Sequence, residues 1–485
     1  DLIRQGAAGA STGYTIKNSY FNSAISRSFM TADTGGSFAG NKTFTYSWWT
    51  KKINKDSYIT GNNRNVVLGS FYGSNNRYDS LQFNGDQLEF NSRSGGASAS
   101  TGSAVIIFKT NRVFRDVAAW YHIVIAVDTT EAVANERVRL FVNGIRETSF
   151  DTLNLPSADT LFYSFGDGVE QNVGTFQDTD YGSSYNHIYF DGYFAEFHGL
   201  DGYAYNASYF GQFQEDTNIW IPKEYTGSYG THGYYLKFAS AGSLGTDSSG
   251  GSNDFTLRNI DSAHQTTDTP TNNMITFNSS NNQRGGGTVS EGALDYTGPS
   301  TRTNISLTAN IPATGKWAVA FKATDNSNDE WNMGITKATN TNFGDAAGSN
   351  EAIGGQDNDG IQFLPSSNDA SLYNYISSAA IDPSLPITTS DEFWMAVDTA
   401  TGKCFLGIYD ASTTSMKFVA ADTGLDGNPA TGDNPTITIS DMIGSGEYTF
   451  AVNSKNTNVW TLLRSTEVSG TTPSGYTYFE NVKDI

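Results

Sequence analysis

The chain has 485 residues, and its 8 Trp, 26 Tyr, 30 Phe and 50 Gly favour turn-rich β-sandwiches and exclude coiled coils and helical bundles. Its formal net charge of −21 would repel nucleic acid, and it contains no apolar run long enough to insert into a membrane. Cys404 is the only cysteine, so no intrachain disulfide can form, and we expect folding in a reducing compartment.

The first region, residues 1–213, has the pattern of short strands between turns. Residues 43–49 alternate between aromatic and small polar side chains, which predicts a strand with one buried face. An Asn-Gly pair at 84–85 stands between two alternating runs and predicts a β-hairpin. A second Asn-Gly pair, at 143–144, follows a strand that we expect to pair with residues 120–128.

Residues 206–210 are expected to form a single helical turn before the composition changes at residues 214–275. This middle segment is dense in Gly, Ser, Thr, Asn and Asp but also carries Trp and Tyr side chains. A flexible linker would expose those aromatic rings to water, so the segment is predicted to be an ordered connector. Within it, Tyr234, Leu236 and Phe238 alternate and could add one strand.

The third region, residues 276–485, again has the pattern of short strands. Residues 393–398 are expected to pair with residues 403–409 in a hairpin. The sequence Ala-Val-Asp-Thr at 396–399 repeats the one at 126–129, in each case before a turn and another apolar strand. This repeat indicates two sandwiches of one broad type, and the whole chain is predicted to be all-β.

Both outer regions resemble known sandwich families. The first region resembles the laminin-G-like branch of the concanavalin A-like jelly rolls at residues 44–49, 120–124, 138–144 and 190–197. The third region is similar to SPRY-type sandwiches at residues 315–319, 331–335 and 396–409. The resemblance implies two concanavalin A-like jelly-roll β-sandwiches, at 1–213 and 276–485, joined by the ordered aromatic and Gly-rich connector at 214–275.

The connector carries a more specific resemblance. A block in virion-associated proteins of marine tailed bacteriophages resembles four segments of this chain: 220–230, 233–238, 246–255 and 270–274. Separately, residues 473–476 are similar to the ending of those proteins. In those proteins the block lies between a laminin-G-like and a SPRY-like sandwich. The resemblance implies a virion protein that is assembled in the host bacterial cytoplasm, has other virion proteins as partners and forms a homo-oligomer, a trimer.

Patterns typical of catalysis are weak in this sequence. Glycosidases need two carboxylates at a fixed separation, and the compact Glu-x-Asp strand signature of this superfamily is absent. Glu196 is the nearest acidic candidate, and we expect it to be an edge or turn-facing carboxylate. A Gly-x-Ser-x-Gly match at 9–13 lacks the strand and helix that a nucleophile elbow requires, and no His pair has metal-ligand spacing. The chain is therefore predicted not to be an enzyme.

Two acidic turns, at 325–330 and 357–360, offer the alternating oxygen ligands that calcium prefers. Asp357 and Asp359 are the metal candidates in the second turn. Neither turn completes a twelve-residue calcium loop, and an Asx-rich hairpin turn has the same composition. A structural calcium ion and an ordinary turn without any cofactor both remain open.

The loop between Tyr72 and Tyr78 has the composition of a carbohydrate-binding rim. The two tyrosines could stack on sugar rings, while Asn75 and Arg77 could bond hydroxyl groups. The loop should protrude at one end of the sandwich, where binding loops concentrate. Residues 180–187 have a similar composition. Tyrosines are also enriched at subunit contacts, which is the alternative for both loops.

These observations predict a lectin-like phage virion protein, a tail-fibre or adhesin subunit that contacts host cell-surface glycans. Several copies would be needed for firm attachment, because single stacking contacts are weak. The nearest alternative places the protein on the capsid, as a decoration or head-fibre protein. A secreted glycan hydrolase is the alternative from another class, and the missing carboxylate pair weighs against it.

Overall fold

The computed structural model describes residues 13–24, 26–33, 39–53, 64–72, 78–93, 105–176, 188–279, 287–300, 303–323, 332–338, 353, 360–364, 371–373, 380–381, 388–421, 424–454 and 457–481. The chain forms two compact units, Asp1–Asn273 and Met274–Ile485. Nearly all of the expected connector therefore belongs to the first unit. Among the described residues, no helix has the length and hydropathy that crossing a membrane requires.

The first unit is built from short strands. In chain order they are β1 Ser19–Asn22, β2 Phe29–Asp33, β3 Ala39–Asn41, β4 Thr43–Lys52, β5 Arg64–Phe71, β6 Tyr78–Asn84, β7 Gln87–Arg93, β8 Val105–Val113, β9 Tyr121–Asp128, β10 Val138–Val142, β11 Ile145–Arg146, β12 Phe150–Leu153, β13 Phe162–Asp167, β14 Glu170–Val173, β15 Gly192–Asp201, β16 Gly211–Phe213, β17 Trp220–Pro222, β18 Tyr234–Leu236, β19 Thr256–Arg258 and β20 Gln265–Thr266. Short 3-10 turns lie at Ala134–Glu136, Ala207–Tyr209 and Ser262–His264. The second of these confirms the expected helical turn.

Two antiparallel sheets form the body of this unit. Sheet A has the order β11-β10-β9-β4-β15-β1-β20, with β18 also paired to β15, and sheet B has the order β12-β8-β7-β6-β5-β14-β2-β19. One apolar core joins the sheets, with Phe44, Tyr46 and Trp48 of β4 from sheet A and Leu81 and Phe83 of β6 from sheet B. The aromatic face expected in β4 enters this core, but Thr45 and Ser47 on its other face are buried as well, so β4 does not have the single buried face that the sequence predicts. The unit is a β-sandwich.

Two-residue turns set the register of the hairpins that the sequence indicates. Asn143 and Gly144, with φ of 47° and 80°, connect β10 to β11, and β10 pairs with β9 as expected. In the β6–β7 hairpin the turn residues are Gly85 and Asp86, one position later than the Asn-Gly pair suggests. Gly85 takes the positive φ, 60°, that this turn requires.

Segment 214–275 packs onto the first unit through strands of its own. β17 forms a hairpin with β16, β18 pairs with β15, β19 pairs with β2, and β20 pairs with β1. The strand expected around Tyr234 is β18, which confirms that expectation. Lys51 of β4 and Asp268 form a fully buried ion pair, with 2.9 Å between Nζ and Oδ2. A buried charge needs a partner of opposite charge, so this ion pair links the segment to sheet A.

The second unit is also built from strands. Those in its described residues are β21 Thr288–Ser290, β22 Asp295–Thr297, β23 Thr303–Ser306, β24 Lys316–Ala323, β25 Asn332–Lys337, β26 Gly360–Leu364, β27 Ser371–Tyr373, β28 Ala380–Ile381, β29 Glu392–Asp398, β30 Lys403–Asp410, β31 Ser415–Val419, β32 Ile437–Thr438, β33 Tyr448–Ser454, β34 Val459–Leu462 and β35 Thr477–Tyr478. A 3-10 turn lies at Ser440–Met442.

Two sheets again account for most of these strands. One has the order β21-β22-β34-β24-β29-β30-β31, with β32 paired to β30 and β35 paired to β24, and the other has the order β23-β33-β25-β26-β27-β28. The expected hairpin of residues 393–398 and 403–409 is confirmed by the pairing of β29 with β30. Trp460 packs edge-on against Phe321 and Phe393. The chain is therefore all-β in both units.

Candidate functional site

A groove of about 270 Å³ lies on the face of sheet B that points away from the core. Strands β6 and β7 supply its floor because their side chains alternate: Leu81 and Phe83 enter the core, whereas Ser80 and Gln82 point into the groove. The described residues that line it are Arg64, Tyr78, Ser80, Gln82, Asn84, Glu89, Asn91, Ile106, Phe176 and Ile188.

Glu89 is the centre of the groove floor, and three amide groups bind its carboxylate. Gln82 Nε2 and Asn91 Nδ2 each donate to Oε1 at 2.7 Å, and Asn84 Nδ2 donates to Oε2 at 3.0 Å. Burial disfavours the charged carboxylate, but these hydrogen bonds and the positive charge of Arg64 outweigh it and lower the pKa of Glu89. Glu89 is therefore a charged acceptor at neutral pH.

The three amides have a fixed orientation because a carboxylate can only accept hydrogen bonds. Each must turn its N–H group toward Glu89, which leaves its carbonyl oxygen on the other side. Within the described part of the chain, no donor reaches the carbonyl oxygens of Gln82, Asn84 or Asn91. The floor consequently offers several hydrogen-bond acceptors to a ligand that carries hydroxyl groups.

Aromatic rings form one wall of the groove. Tyr78 contacts Phe176 edge-on, with ring centroids 4.9 Å apart, and Phe176 contacts Phe71 in the same manner at 5.1 Å. Tyr78 and Phe71 are also cross-strand partners in the β5–β6 ladder. Burial raises the pKa of Tyr78, so its hydroxyl stays protonated and can donate.

The structure brings one of the predicted rim residues into this groove. Tyr78 lines it, whereas the half-buried Tyr72 is not among its described lining residues. Asn75 and Arg77 lie outside the described residues, as does the second predicted loop at 180–187. The carbohydrate role of these four residues therefore remains a prediction, with Tyr78 the one whose surroundings the structure shows.

Sequence composition alone missed the groove floor. Gln82, Asn84, Glu89 and Asn91 lie on regular strands, whereas the composition search singled out loops. The alternation of polar and apolar residues along β6 and β7 indicates this floor, because the polar side chains of the two paired strands lie on one face of the sheet. A hairpin with polar outward positions on both strands could have been identified as a candidate surface.

Glu196, the acidic candidate from the sequence, belongs to a different place. It lies on the central strand β15, is 5 % exposed and has a φ of 48° at a bulge in the ladder. The expectation of an edge or turn-facing carboxylate is therefore wrong. Its Oε2 accepts from the Tyr14 hydroxyl at 2.8 Å and from the Tyr235 hydroxyl at 2.7 Å. Burial raises the pKa of Glu196 despite these two donors.

His122, on the same face of sheet A, contacts Ser47 with 3.0 Å between Nε2 and Oγ. This pair has the spacing of a catalytic dyad, but the indole N–H of Trp220 donates to Nδ1 of His122 at 3.0 Å. Nδ1 is then the acceptor, so Nε2 carries the proton and donates to Ser47. Burial lowers the pKa of His122 to about 3, and the imidazole cannot take the Ser47 proton in this arrangement.

The structure does not describe the residues predicted to bind calcium. Asp357, Asp359 and the turn at 325–330 lie outside the described residues. Among the residues that are described, no three His, Cys, Asp or Glu side chains are grouped so that they could hold a metal ion. A calcium ion at 357–360 remains a prediction.

The fold and the groove together define an all-β protein whose first unit is a sandwich with a polar and aromatic groove on one sheet. No protein-family model matches the sequence, and no curated protein is similar to it. Among solved structures, the chain is similar to domains LG4-5 of the mouse laminin α1 chain, with 8 % identity, a TM-score of 0.29, and coverage of 98 % of this chain and 90 % of that one.

A heptameric SAP-like pentraxin from Limulus polyphemus is a second similar structure. The identity is 13 % and the TM-score 0.27, with coverage of 40 % of this chain and 80 % of the pentraxin chain. Neither likeness carries functional information at these TM-scores. A phage origin and a SPRY-type second sandwich remain predictions from the sequence.

Proposed function

We propose that the first unit binds carbohydrate in the groove on sheet B. The observation that carries the proposal is the Glu89 cluster, in which one carboxylate orients three amides so that their oxygens remain available. Sugars present many hydroxyl donors together with apolar C–H faces. Convergent acceptors beside the rings of Tyr78 and Phe176 match both features.

We propose binding without hydrolysis. A glycosidase needs a protonated acid and a second carboxylate within a fixed distance. Glu89 is the one carboxylate among the described lining residues, and its lowered pKa favours a charged acceptor over a proton donor. Incubation of the protein with polysaccharides that it binds should release no new reducing ends, and sustained release would contradict this part of the proposal.

An array of surface oligosaccharides from bacteria and algae tests the binding proposal with the labelled full chain. Tyr78→Ala removes one ring contact of about 0.5–1.5 kcal/mol and should weaken binding about 2- to 12-fold. Tyr72→Ala is the comparison variant, since it removes the other tyrosine that the sequence predicts to stack on sugar, one that is not among the described lining residues of the groove. Thermal unfolding of each variant verifies that it is folded.

Two results would overturn the carbohydrate proposal: the wild-type chain binds no sugar on the array, or a folded Tyr78→Ala variant binds as well as the wild type. If Tyr72→Ala weakens sugar binding as much as Tyr78→Ala does, the sugar contacts the loop between Tyr72 and Tyr78 and not the groove.

At the level of the organism, we propose a virion attachment protein of a tailed phage. The support is the resemblance of the connector at 214–275 to a block in virion proteins, together with a groove suited to glycans. Gold-labelled antibodies against the chain, imaged on purified particles, test this directly. Label at the tail supports attachment, label on the capsid favours the alternative of a decoration protein, and particles without label contradict both.

A further inference from the structure

Three cations lie on the strands that form or flank the proposed carbohydrate groove, and one of them lines it. Arg64 lines it, is exposed, and lies opposite Asn84 in the β5–β6 ladder. Lys109 is half-buried and lies opposite Glu89 in the β7–β8 ladder, so both side chains belong to the same face of the sheet. Arg93 lies opposite Tyr78 and its side chain hydrogen-bonds that residue.

Two of these cations have no counter-ion among the residues that the structure describes. Within the described part of the chain, Arg64 and Lys109 form no ion pair, although Arg64 acts at a distance on Glu89. Other arginines of this unit do pair, as Arg112 does with Glu147 at 2.6 Å and Arg146 with Glu136 at 2.8 Å.

Glu89 keeps its negative charge, because the three amides that bind it are neutral, but its two oxygens already accept their hydrogen bonds. Arg64, Lys109 and Arg93 outnumber this carboxylate, which is the one carboxylate among the described lining residues. The groove therefore has a charged carboxylate in its floor and an excess of positive charge on the strands that form it and flank it. A guanidinium group is suited to bidentate contact with a carboxylate, and an ammonium group contributes a point charge.

We propose that the ligand of this groove is an acidic glycan, one whose anionic group lies between Arg64 and Lys109 while a sugar ring packs beside Tyr78. This inference rests on the proposed carbohydrate function and adds the class of sugar. General attraction cannot explain such binding, because a chain with a net charge of −21 repels a polyanion everywhere except at a local cationic site.

The test uses the full chain on an array in which each uronic-acid oligosaccharide stands beside its carboxyl-reduced, neutral counterpart. We expect the acidic member of a pair to bind about tenfold more tightly than the neutral one, and this preference to fall as salt is raised. Arg64→Gln and Lys109→Gln should each weaken acidic binding about fivefold and neutral binding by less, so that the preference for the acidic member falls. Arg258→Gln, at an exposed position of β19 at the far edge of sheet B, is the matched control and should change neither.

The outcomes separate the two proposals. If neutral and acidic members bind equally, or Arg64→Gln and Lys109→Gln bind acidic sugars as the wild type does, the acidic-glycan inference fails while the carbohydrate function stands. If no sugar of either kind binds, both proposals fail. Arg64 is exposed, so its replacement should not impair folding, and Lys109→Arg, which restores the charge, should recover binding if the loss in Lys109→Gln is electrostatic.

Discussion

Asp79 offers a quantitative test of the sandwich beneath the groove. It follows Tyr78 on β6, and its side chain points into the core, where it is 1 % exposed. Its Oδ1 accepts from the Ser92 hydroxyl at 2.7 Å, and its Oδ2 accepts from the Ser164 backbone N–H at 2.7 Å and from the Ser164 hydroxyl at 3.0 Å. Burial outweighs these hydrogen bonds and raises the pKa of Asp79 to about 6.

The sign of the effect follows from the two pKa values of Asp79. The folded state prefers the protonated acid, so its contribution to stability is fully present below the unfolded value of 3.8 and is lost as the pH rises through about 6. A shift of this size corresponds to about 3 kcal/mol in the free energy of unfolding. Asp79→Asn imitates the protonated acid, because its amide can donate to one serine hydroxyl and accept from the Ser164 N–H.

Calorimetry between pH 4 and pH 8 measures this difference. At pH 7 the Asp79→Asn variant should unfold roughly 6–12 °C above the wild type in the transition of the first unit, and near pH 4 the two proteins should converge. The two units can unfold separately, so the transition must be assigned with a second variant that affects only the first unit. A stability difference that stays constant from pH 4 to pH 8 would refute the reasoning.

Two further predictions concern the packing of segment 214–275. A Cβ atom at Gly144 would overlap the Trp220 ring, so Gly144→Ala should destabilise the first unit by about 2–5 kcal/mol in chemical denaturation. Gly85→Ala is the control, because the space around its Cβ is open, and it should lose only about 1–2 kcal/mol. Equal losses would contradict the contact. Asp268→Asn removes the main counter-charge of the buried Lys51 and should lower the free energy of unfolding by about 3–5 kcal/mol. Adding Lys51→Met to this variant should recover part of the loss. Failure of the double variant to recover stability would count against the ion pair as the cause.

Local signals explain which parts of the fold the sequence reveals. The aromatic face of β4 and the turn at Asn143 and Gly144 involve only neighbouring residues, and both were predictable. The pairing of β20 with β1 joins residues about 245 positions apart, and no local pattern encodes it. The ion pair of Lys51 with Asp268 depends on that same long-range packing. The sequence therefore indicated ordered structure in 214–275 through its aromatic rings, but it did not indicate the strands that the segment joins.

The groove shows the same division between local and long-range information. A two-residue turn at Gly85 and Asp86 places Gln82 opposite Glu89, so the amide–carboxylate pair follows from the hairpin register alone. The positions of Arg64 and Lys109 do not follow from a hairpin register in this way, because irregularities interrupt the β5–β6 and β7–β8 ladders. Each irregularity shifts the register by a residue and changes which side chains share a face. The polar floor could have been predicted, whereas the cations around it required the structure.

Glu89 and Glu196 show why residue type alone does not identify a site. Both are glutamates on strands of the same sandwich, and both accept hydrogen bonds from polar side chains. Glu196 lies under the aromatic side chains of Tyr14 and Tyr235, where burial outweighs two hydroxyl donors and raises its pKa. Glu89 opens onto a groove, where three amides and Arg64 outweigh burial and lower its pKa. Of the two, the Glu89 arrangement leaves acceptors facing a cavity that a ligand can enter, which is why the proposed binding function is placed on sheet B and not at the cluster on sheet A.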